Sequence, residues 1–312
     1  MRFLVTGASG FIGSALCARL LAEGHSLICL SRSVHEDTPG VNWIRHDLVS
    51  DHWKQLPRFD IDAAFHLAGQ TSTYRARQDP MEDASMNVLG LLGLMEYFKS
   101  LPRQPFVVIA GTVTEVGMTD QIPINEAMAD HPVTFYDISK LSAEMYLMQY
   151  VREGWLRGCS LRLANVFGRR TQGQQADRGI LDRVFSQAAA GANITIYGDG
   201  SYLRDYLFID DVVSALIQAA ENAERTNARN FCIGSGRGIS LKDAFSKVMS
   251  LAAEVTGVRA SHQYVAPPAD LSEIERRNAI VDSTAFRQAT GWVPQYDFDA
   301  GLNAAYRSPS SK

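Results

Sequence analysis

Phe3-Leu4-Val5-Thr6-Gly7-Ala8-Ser9-Gly10-Phe11-Ile12-Gly13-Ser14 decides how this chain is read. Phe3-Leu4-Val5 suits a short buried strand and Gly7 to Gly13 a turn. Ser14 to Glu23 has helical spacing, with Leu16, Leu20 and Leu21 on one side and Gly24 as a stop. The glycines stand three apart. Backbone can approach a pyrophosphate closely only where no Cβ intervenes, and a following helix aims its N-terminal N–H groups and positive dipole end at the phosphates. A glycine triad alone is a weak signal; one that follows a strand and opens a helix marks a dinucleotide cradle. Gly7, Ser9, Gly10, Phe11, Ile12 and Gly13 are therefore the first candidate cofactor contacts.

The next strand, Ser26 to Leu30, ends in Ser31-Arg32-Ser33, with no acid before Glu36. A carboxylate there would bind the free ribose hydroxyls of NAD, whereas a basic residue suits a 2′-phosphate. Ser31, Arg32 and Ser33 thus favour NADP over NAD. Asp47 and Leu48, after a further strand, are placed to cradle the adenine; the alternative for Asp47 is a helix cap. Strands at Asp62–Leu67, Phe106–Ala110 and Ser160–Leu163 alternate with helices at Val88–Lys99 and Phe135–Arg152. That alternation predicts an α/β fold, a Rossmann-type doubly wound parallel sheet covered on both faces. Beyond Leu163 the pattern loosens. Residues 1–165 read as the dinucleotide-binding domain, with 205–235 returning to it. Residues 166–204 and 236–312 read as a smaller mixed α/β substrate domain.

The 312 residues carry a net charge of −4, and 46% of them are hydrophobic against 21% charged. This is ordinary globular composition, without the basic stripe that nucleic acid or an anionic membrane would require. Cys17, Cys29, Cys159 and Cys232 form no CxxC pair and no metal-spaced cluster, so reduced thiols and no metal site are expected. No apolar run reaches bilayer length. The expectation is a cytoplasmic protein.

Tyr136 and Lys140 lie four apart on a predicted helix and share a face. An ammonium beside a phenol favours the phenolate, which predicts a lowered pKa for Tyr136 and a role as general acid or base. Lys140 could also hold the nicotinamide ribose.

With these residues the chain resembles the extended short-chain dehydrogenases/reductases, the epimerase/dehydratase group acting on nucleotide sugars. The resemblance rests on Gly7 to Gly13, His66-Leu67-Ala68-Gly69, Asn87 in Met86-Asn87-Val88-Leu89-Gly90, and Tyr136-Asp137-Ile138-Ser139-Lys140. It continues in Leu161-Arg162-Leu163-Ala164-Asn165-Val166-Phe167-Gly168, Tyr197-Gly198-Asp199-Gly200, Arg204-Asp205-Tyr206 and Gly291-Trp292-Val293-Pro294. It implies that Leu67, Ala68, Gly69 and Asn87 line the dinucleotide. It also implies that Thr112 is the catalytic hydroxyl beside Tyr136 and Lys140, with Thr114 the competitor, and that Asn165 and Arg204 meet the substrate's phosphates. Arg277 or Arg276 would add a second phosphate contact. A homodimer is implied too.

Two departures matter. The family's 4,6-dehydratases carry an Asp-Glu pair after the catalytic Thr, where this chain has Val113 and Thr114; valine cannot act as an acid, which argues against that reaction. The usual second alanine after His-Leu-Ala is Gly69. The resulting expectation is an NAD(P)-dependent oxidoreductase of nucleotide-diphosphate sugars, working at C4 as a ketoreductase. A 4-epimerase that retains its cofactor is the alternative, and a non-catalytic NADP sensor is the reading from another class. The segments Gln70–Arg77 and Gln172–Arg178 are expected to select the sugar.

Overall fold

The computed structural model describes residues 1–33, 35–168 and 179–307; the expected selectivity loop Gln172–Arg178 lies outside them. The first half runs β1 (Arg2–Thr6), α1 (Phe11–Ala22), β2 (Ser26–Ser31), β3 (Val41–Arg45), β4 (Ala63–His66), α2 (Thr73–Gln78), α3 (Pro80–Ala84), α4 (Gly90–Lys99), β5 (Phe106–Thr112), α5 (Phe135–Arg152) and β6 (Arg157–Leu163). The second half runs β7 (Asn165–Phe167), α6 (Ile180–Ala189), β8 (Ile194–Tyr197), β9 (Leu203–Phe208), α7 (Ile209–Glu221), α8 (Ala223–Thr226), β10 (Arg229–Ile233), β11 (Gly238–Ser240), α9 (Leu241–Thr256), β12 (His262–Val265), α10 (Thr284–Thr290) and α11 (Phe298–Tyr306).

Seven strands form one sheet in the order β10-β6-β5-β4-β1-β2-β3, and every pairing in it is parallel. This is the expected doubly wound α/β sheet. Side chains alternate across each strand. Phe3 and Val5 pack with Leu16, Leu20, Phe65, Val212 and Leu216 on one face, whereas Leu4 packs with Ile28, Leu91, Leu94, Phe98 and Leu147 on the other. Both faces are covered, which is why the strands read as unbroken apolar runs. The strand order reverses between β1 and β4, so the crevice for a ligand opens at the carboxyl ends of β1, β4 and β5.

The segment 205–235 divides. β9 joins a small sheet, β11-β9-β7, rather than the large one, while α7 packs on α1 and β10 forms the edge of the large sheet beside β6. β8 and β12 make a separate parallel pair. β9 starts at Leu203 and ends at Phe208, because α7 already begins at Ile209.

The helix expected at Val88–Lys99 has a different entry. A π-turn, Ser85–Leu89, precedes α4 and carries Asn87; single π-turns of this kind recur at functional sites. The segment Gln70–Arg77 is partly helical. Ser72 caps α2 by accepting from the Arg75 N–H, and Asp79 with Pro80 starts α3. Gly291 ends α10 in the left-handed conformation, and the Trp292 indole donates to Ser214 Oγ at 2.8 Å. All four cysteines are free and buried. Among the described residues no helix is long and apolar enough to cross a membrane.

Candidate active site

The cradle is built from glycines that admit no side chain. Gly7 has φ +69°, and a Cβ on it would lie 2.6 Å from the Ala68 nitrogen and 2.8 Å from the Leu67 oxygen. A Cβ on Gly13 would lie 2.1 Å from the Gly7 carbonyl oxygen, so the third glycine lets α1 pack against the turn itself. Gly10 caps α1 with backbone alone, and no acid occupies the helix's first turn. These features fit a dinucleotide pyrophosphate: Gly7 to Gly13 would hold it, with Leu67, Ala68 and Gly69 opposite. Thr6 pins the two walls together. Its hydroxyl accepts from the Ala68 N–H at 3.3 Å and shares a hydrogen bond with His66 Nδ1 at 2.9 Å. Burial, with the Lys140 charge added, pushes His66 down to about 3, so it stays neutral.

At the end of β2, Arg32 and Ser33 are exposed, while the Ser31 hydroxyl is engaged within its own loop with His35 Nε2 at 2.7 Å and the Ser33 N–H at 3.1 Å. Asp47 Oδ1 accepts from the Val49 and Ser50 N–H groups at 2.9 and 3.2 Å, the capping geometry held open above. Those bonds hold its carboxyl below the usual range, and the Arg32 charge adds to them, which places both residues in one corner. Leu48 packs against Gly90.

Gly69 has a local cause. A Cβ there would lie 2.6 Å from Asn87 Oδ1, which accepts from the Gln70 N–H at 3.0 Å. Asn87 Nδ2 donates to Asp83 Oδ1 and to Ser139 Oγ, both at 3.0 Å, and Gln70 Nε2 donates to Asp83 at 2.8 Å. Sequence reasoning missed Gln70 and Asp83 in this buried network. The available signal was Asp83, four residues before Asn87 on the same helical face.

Thr112 ends β5, and Tyr136 and Lys140 lie in the first two turns of α5. The Thr112 hydroxyl lies close enough to the Tyr136 phenol to act on it. The expectation of a lowered Tyr136 pKa is corrected. Burial raises it, the negative charges of Glu115, Asp137 and Asp83 raise it further, and the Thr112 hydroxyl only partly opposes them. The Lys140 ammonium donates to the Ala110 carbonyl, and burial lowers its pKa. Thr114 is turned the other way. Its Oγ lies 2.9 Å from Thr112 Oγ and donates to Asp137 Oδ1 at 2.5 Å.

Beneath Thr112 lies a charged cluster that the sequence did not disclose. Glu115 Oε1 accepts the Thr112 N–H at 2.8 Å, and its other oxygen faces Arg162 Nε at 3.0 Å. Arg162, 1% exposed, also donates to Glu144 at 2.6 and 3.1 Å and to Asp130 at 2.6 and 2.9 Å. Burial and the Glu144 charge push Glu115 up to about 8.

The far wall is cationic. Arg204 donates to the carbonyls of Leu203, Arg277 and Glu275 at 3.0, 2.5 and 2.6 Å. Arg277 spends one guanidinium nitrogen on the Ile274 carbonyl at 2.6 Å. Burial and the Arg204 charge lower it to about 10. Its Nε is buried without a hydrogen-bond partner, as is the Tyr206 phenol. Asn165 pairs with Tyr206 across the small sheet. An orphaned Arg277 nitrogen and an orphaned Tyr206 phenol, with the Arg204 charge beside them, fit an anionic ligand.

A parallel sheet with a glycine cradle at its switch point, and a hydroxyl, a phenol and an ammonium at the next strand end, defines a dinucleotide-dependent enzyme. The sequence model of the NAD dependent epimerase/dehydratase family matches residues 3–234. The chain is 33% identical to a UDP-glucose 4-epimerase of Mycolicibacterium smegmatis, over 97% of this chain and 96% of that one. It is 29% identical to a GDP-6-deoxy-D-mannose reductase of Pseudomonas aeruginosa, over 97% and 95%. Among solved structures, MoeE5 in complex with UDP-glucuronic acid and NAD matches with TM-score 0.85 and 29% identity, covering 97% of each chain. The chain belongs to the NAD dependent epimerase/dehydratase family, as an extended short-chain dehydrogenase/reductase.

Proposed function

We propose that this enzyme moves hydride at C4 of a nucleoside-diphosphate sugar, and that it does so as a 4-epimerase. The observation that carries this is the meeting of Thr112, at the end of β5, with Tyr136 and Lys140 at the start of α5, where Thr112 acts on Tyr136 and the Arg277 charge on the adjoining Asp137. A bound nicotinamide dinucleotide supplies hydride acceptance and return at the sugar carbon. This chain's residues do the rest. Tyr136 takes and returns the C4 hydroxyl proton, Thr112 orients that oxygen, and Lys140 holds the ribose side of the site. Asn87 and Gly69 fix the cradle's inner wall. Asn165, Arg204 and Arg277 hold the diphosphate, for which the guanidinium fork is suited. The name of the Mycolicibacterium smegmatis relative supports the epimerase reading.

A ketoreductase is the second reading, favoured by the exposed Arg32, by the lack of an acid at the end of β2, and by the Pseudomonas aeruginosa relative. Arg32 with Ser33 would then take the 2′-phosphate of NADP. Asp47 and Leu48 would meet the adenine in either case. The structural neighbour solved with NAD supports the other cofactor. Residues 1–165 with α7 and β10 serve as the dinucleotide domain in this reading, and the segments around β8, β9 and α9 as the substrate domain. Four free buried cysteines support a cytoplasmic setting. Exposed Leu89, Ile138, Met145 and Tyr146, on the π-turn and on α5, support a homodimer.

The test incubates the protein with UDP-glucose or UDP-galactose and NAD or NADP, and follows epimer composition by NMR alongside absorbance at the reduced-nicotinamide band. Epimer interconversion with no net absorbance change is expected. Stoichiometric loss of NADPH with a 4-keto sugar, without epimerisation, would replace the epimerase by the reductase. Full activity in Tyr136→Phe would refute the acid/base assignment.

A further inference from the structure

We propose that Asp137, acting through Thr114, sets whether the Thr112 hydroxyl presents a lone pair or a proton to the reacting sugar oxygen. The proposal rests on the reading of Thr112 and Tyr136 given above. Thr114 Oγ donates to Asp137 Oδ1 at 2.5 Å, so its single proton is committed. The 2.9 Å contact between the two threonine oxygens must then carry the Thr112 proton toward Thr114. Thr114 also gives Thr112 Oγ its backbone N–H at 3.3 Å. What remains on Thr112 Oγ for a ligand is one lone pair.

In that arrangement the site accepts a hydrogen bond and is complementary to an alcohol. If Asp137 takes a proton, its carboxyl becomes a donor, both hydroxyls turn over, and Thr112 offers a proton to a ketone oxygen. The two polarities match the two halves of a C4 cycle, alcohol oxidation and ketone reduction. Asp137 is positioned to switch between them. It is fully buried, and burial lifts its carboxyl above the usual range, against the hydrogen bonds of Thr114 and Thr134. The charged and titratable groups facing it are Arg277 from the segment before α10 and Tyr136 from its own helix. Its remaining contacts are the capping-box bonds with Thr134, whose N–H donates to Oδ2 at 3.2 Å. Thr134 in turn lines a surface cavity of about 450 Å³ at the start of α5, which brings solvent within one residue of the carboxyl. Asp137 is a positioning residue in this scheme, since it touches neither substrate nor cofactor.

The experiment compares Asp137→Asn, Thr114→Val and Thr114→Ser in single-turnover oxidation of a UDP-sugar and single-turnover reduction of the corresponding 4-keto sugar, from pH 5 to 9. Asparagine and serine preserve the capping box and the hydroxyl respectively, so folding losses are separated from polarity. In the unmodified enzyme, oxidation is expected to slow and reduction to quicken as pH falls through the titration of Asp137. Asp137→Asn should lose both dependences and oxidise roughly 10- to 100-fold more slowly, with KM little changed. Thr114→Val should slow both half-reactions, and Thr114→Ser should restore them. Superimposable pH profiles in all four proteins would overturn the proposal.

A second readout needs no turnover. The short Thr114–Asp137 bond should give a downfield hydroxyl proton in the NMR spectrum of the protein alone, absent in Thr114→Val and shifted upfield in Asp137→Asn and at low pH. Its absence from the unmodified protein would overturn the proposal, whatever the substrate proves to be. An enzyme that shows this proton but turns over no nucleoside-diphosphate sugar would instead refute the proposed function and leave the hydroxyl chain standing.

Discussion

Replacing Arg162 by methionine should destabilise the fold by about 3–5 kcal/mol, the usual penalty for stripping the partner from a buried ion. Methionine is flexible and matches much of the lost stem volume, so packing contributes little. The cost comes from what is left behind. Glu115 and Glu144 have side chains 0% and 4% exposed and lose the contacts at 3.0 and 2.6 Å that now neutralise them. Asp130, with a side chain 27% exposed, can turn to water. Lys140 already acts on both carboxylates through its charge, while its ammonium donates to the Ala110 carbonyl. Glu115 escapes by staying protonated, since burial already carries it to about 8. Glu144 is held below the usual range by Arg162 itself against the opposing effect of burial, so without Arg162 it must stay charged in the core or take up a proton, and either costs stability. Urea unfolding at pH 7 measures the loss. The double variant Arg162→Met/Glu144→Leu should regain roughly half of it or more, because the orphaned charge goes with its carboxylate. A single-variant cost under about 1 kcal/mol, or a double variant as unstable as the sum of the singles, would show that the cluster is not held by Arg162.

Gly13→Ala places a methyl against the Gly7 carbonyl oxygen, a backbone atom that no rotamer change moves. Overpacking of this kind costs about 1–3 kcal/mol, so calorimetry should show dinucleotide affinity weakened roughly 10- to 100-fold. Arg277→Gln removes the orphaned buried Nε, and affinity for UDP should fall by about tenfold or more, with dinucleotide affinity unchanged. Glu115 is raised from 4.5 to about 8, so its protonated form stabilises the fold fully below pH 4.5, and that contribution is lost as pH rises to 8. Glu115→Gln never ionises and still offers an acceptor to the Thr112 N–H. Its stability relative to the unmodified protein should therefore climb across that window, by at most about 1.4 kcal/mol per pH unit. Parallel stability curves would refute the assignment.

The cradle was legible because its constraints are local. At Gly13 a Cβ would meet the Gly7 carbonyl, within one strand–turn–helix unit, and the parallel, doubly covered sheet follows from the unbroken apolar runs of its strands. The entry to α4 was not legible in the same way. Met86 to Leu89 has helical composition, and only the pull of Gln70, Asp83 and Ser139 on the Asn87 side chain distinguishes a π-turn there. The small sheet escaped for a related reason: β7 and β11 are three residues each and draw their stability from β9 between them, so neither carries a pattern of its own.

The site shows the same division more sharply. Tyr136 and Lys140 could be paired from spacing alone, but the sign of the Tyr136 shift could not. It depends first on burial and then on the charges of Glu115, Asp137 and Asp83; Asp137 is the next residue, but Glu115 and Asp83 are brought to the phenol only by folding. Spacing counted the ammonium and missed the carboxylates. That surplus of negative charge around a phenol has a chemical consequence. The ligand-free site holds Tyr136 protonated, and a cation arriving beside it does more to free the phenolate than it would in a neutral pocket, because it offsets repulsion already built into the fold. A bound oxidised nicotinamide would supply such a charge, and the carboxylates around Tyr136 would then couple cofactor binding to release of the phenol proton.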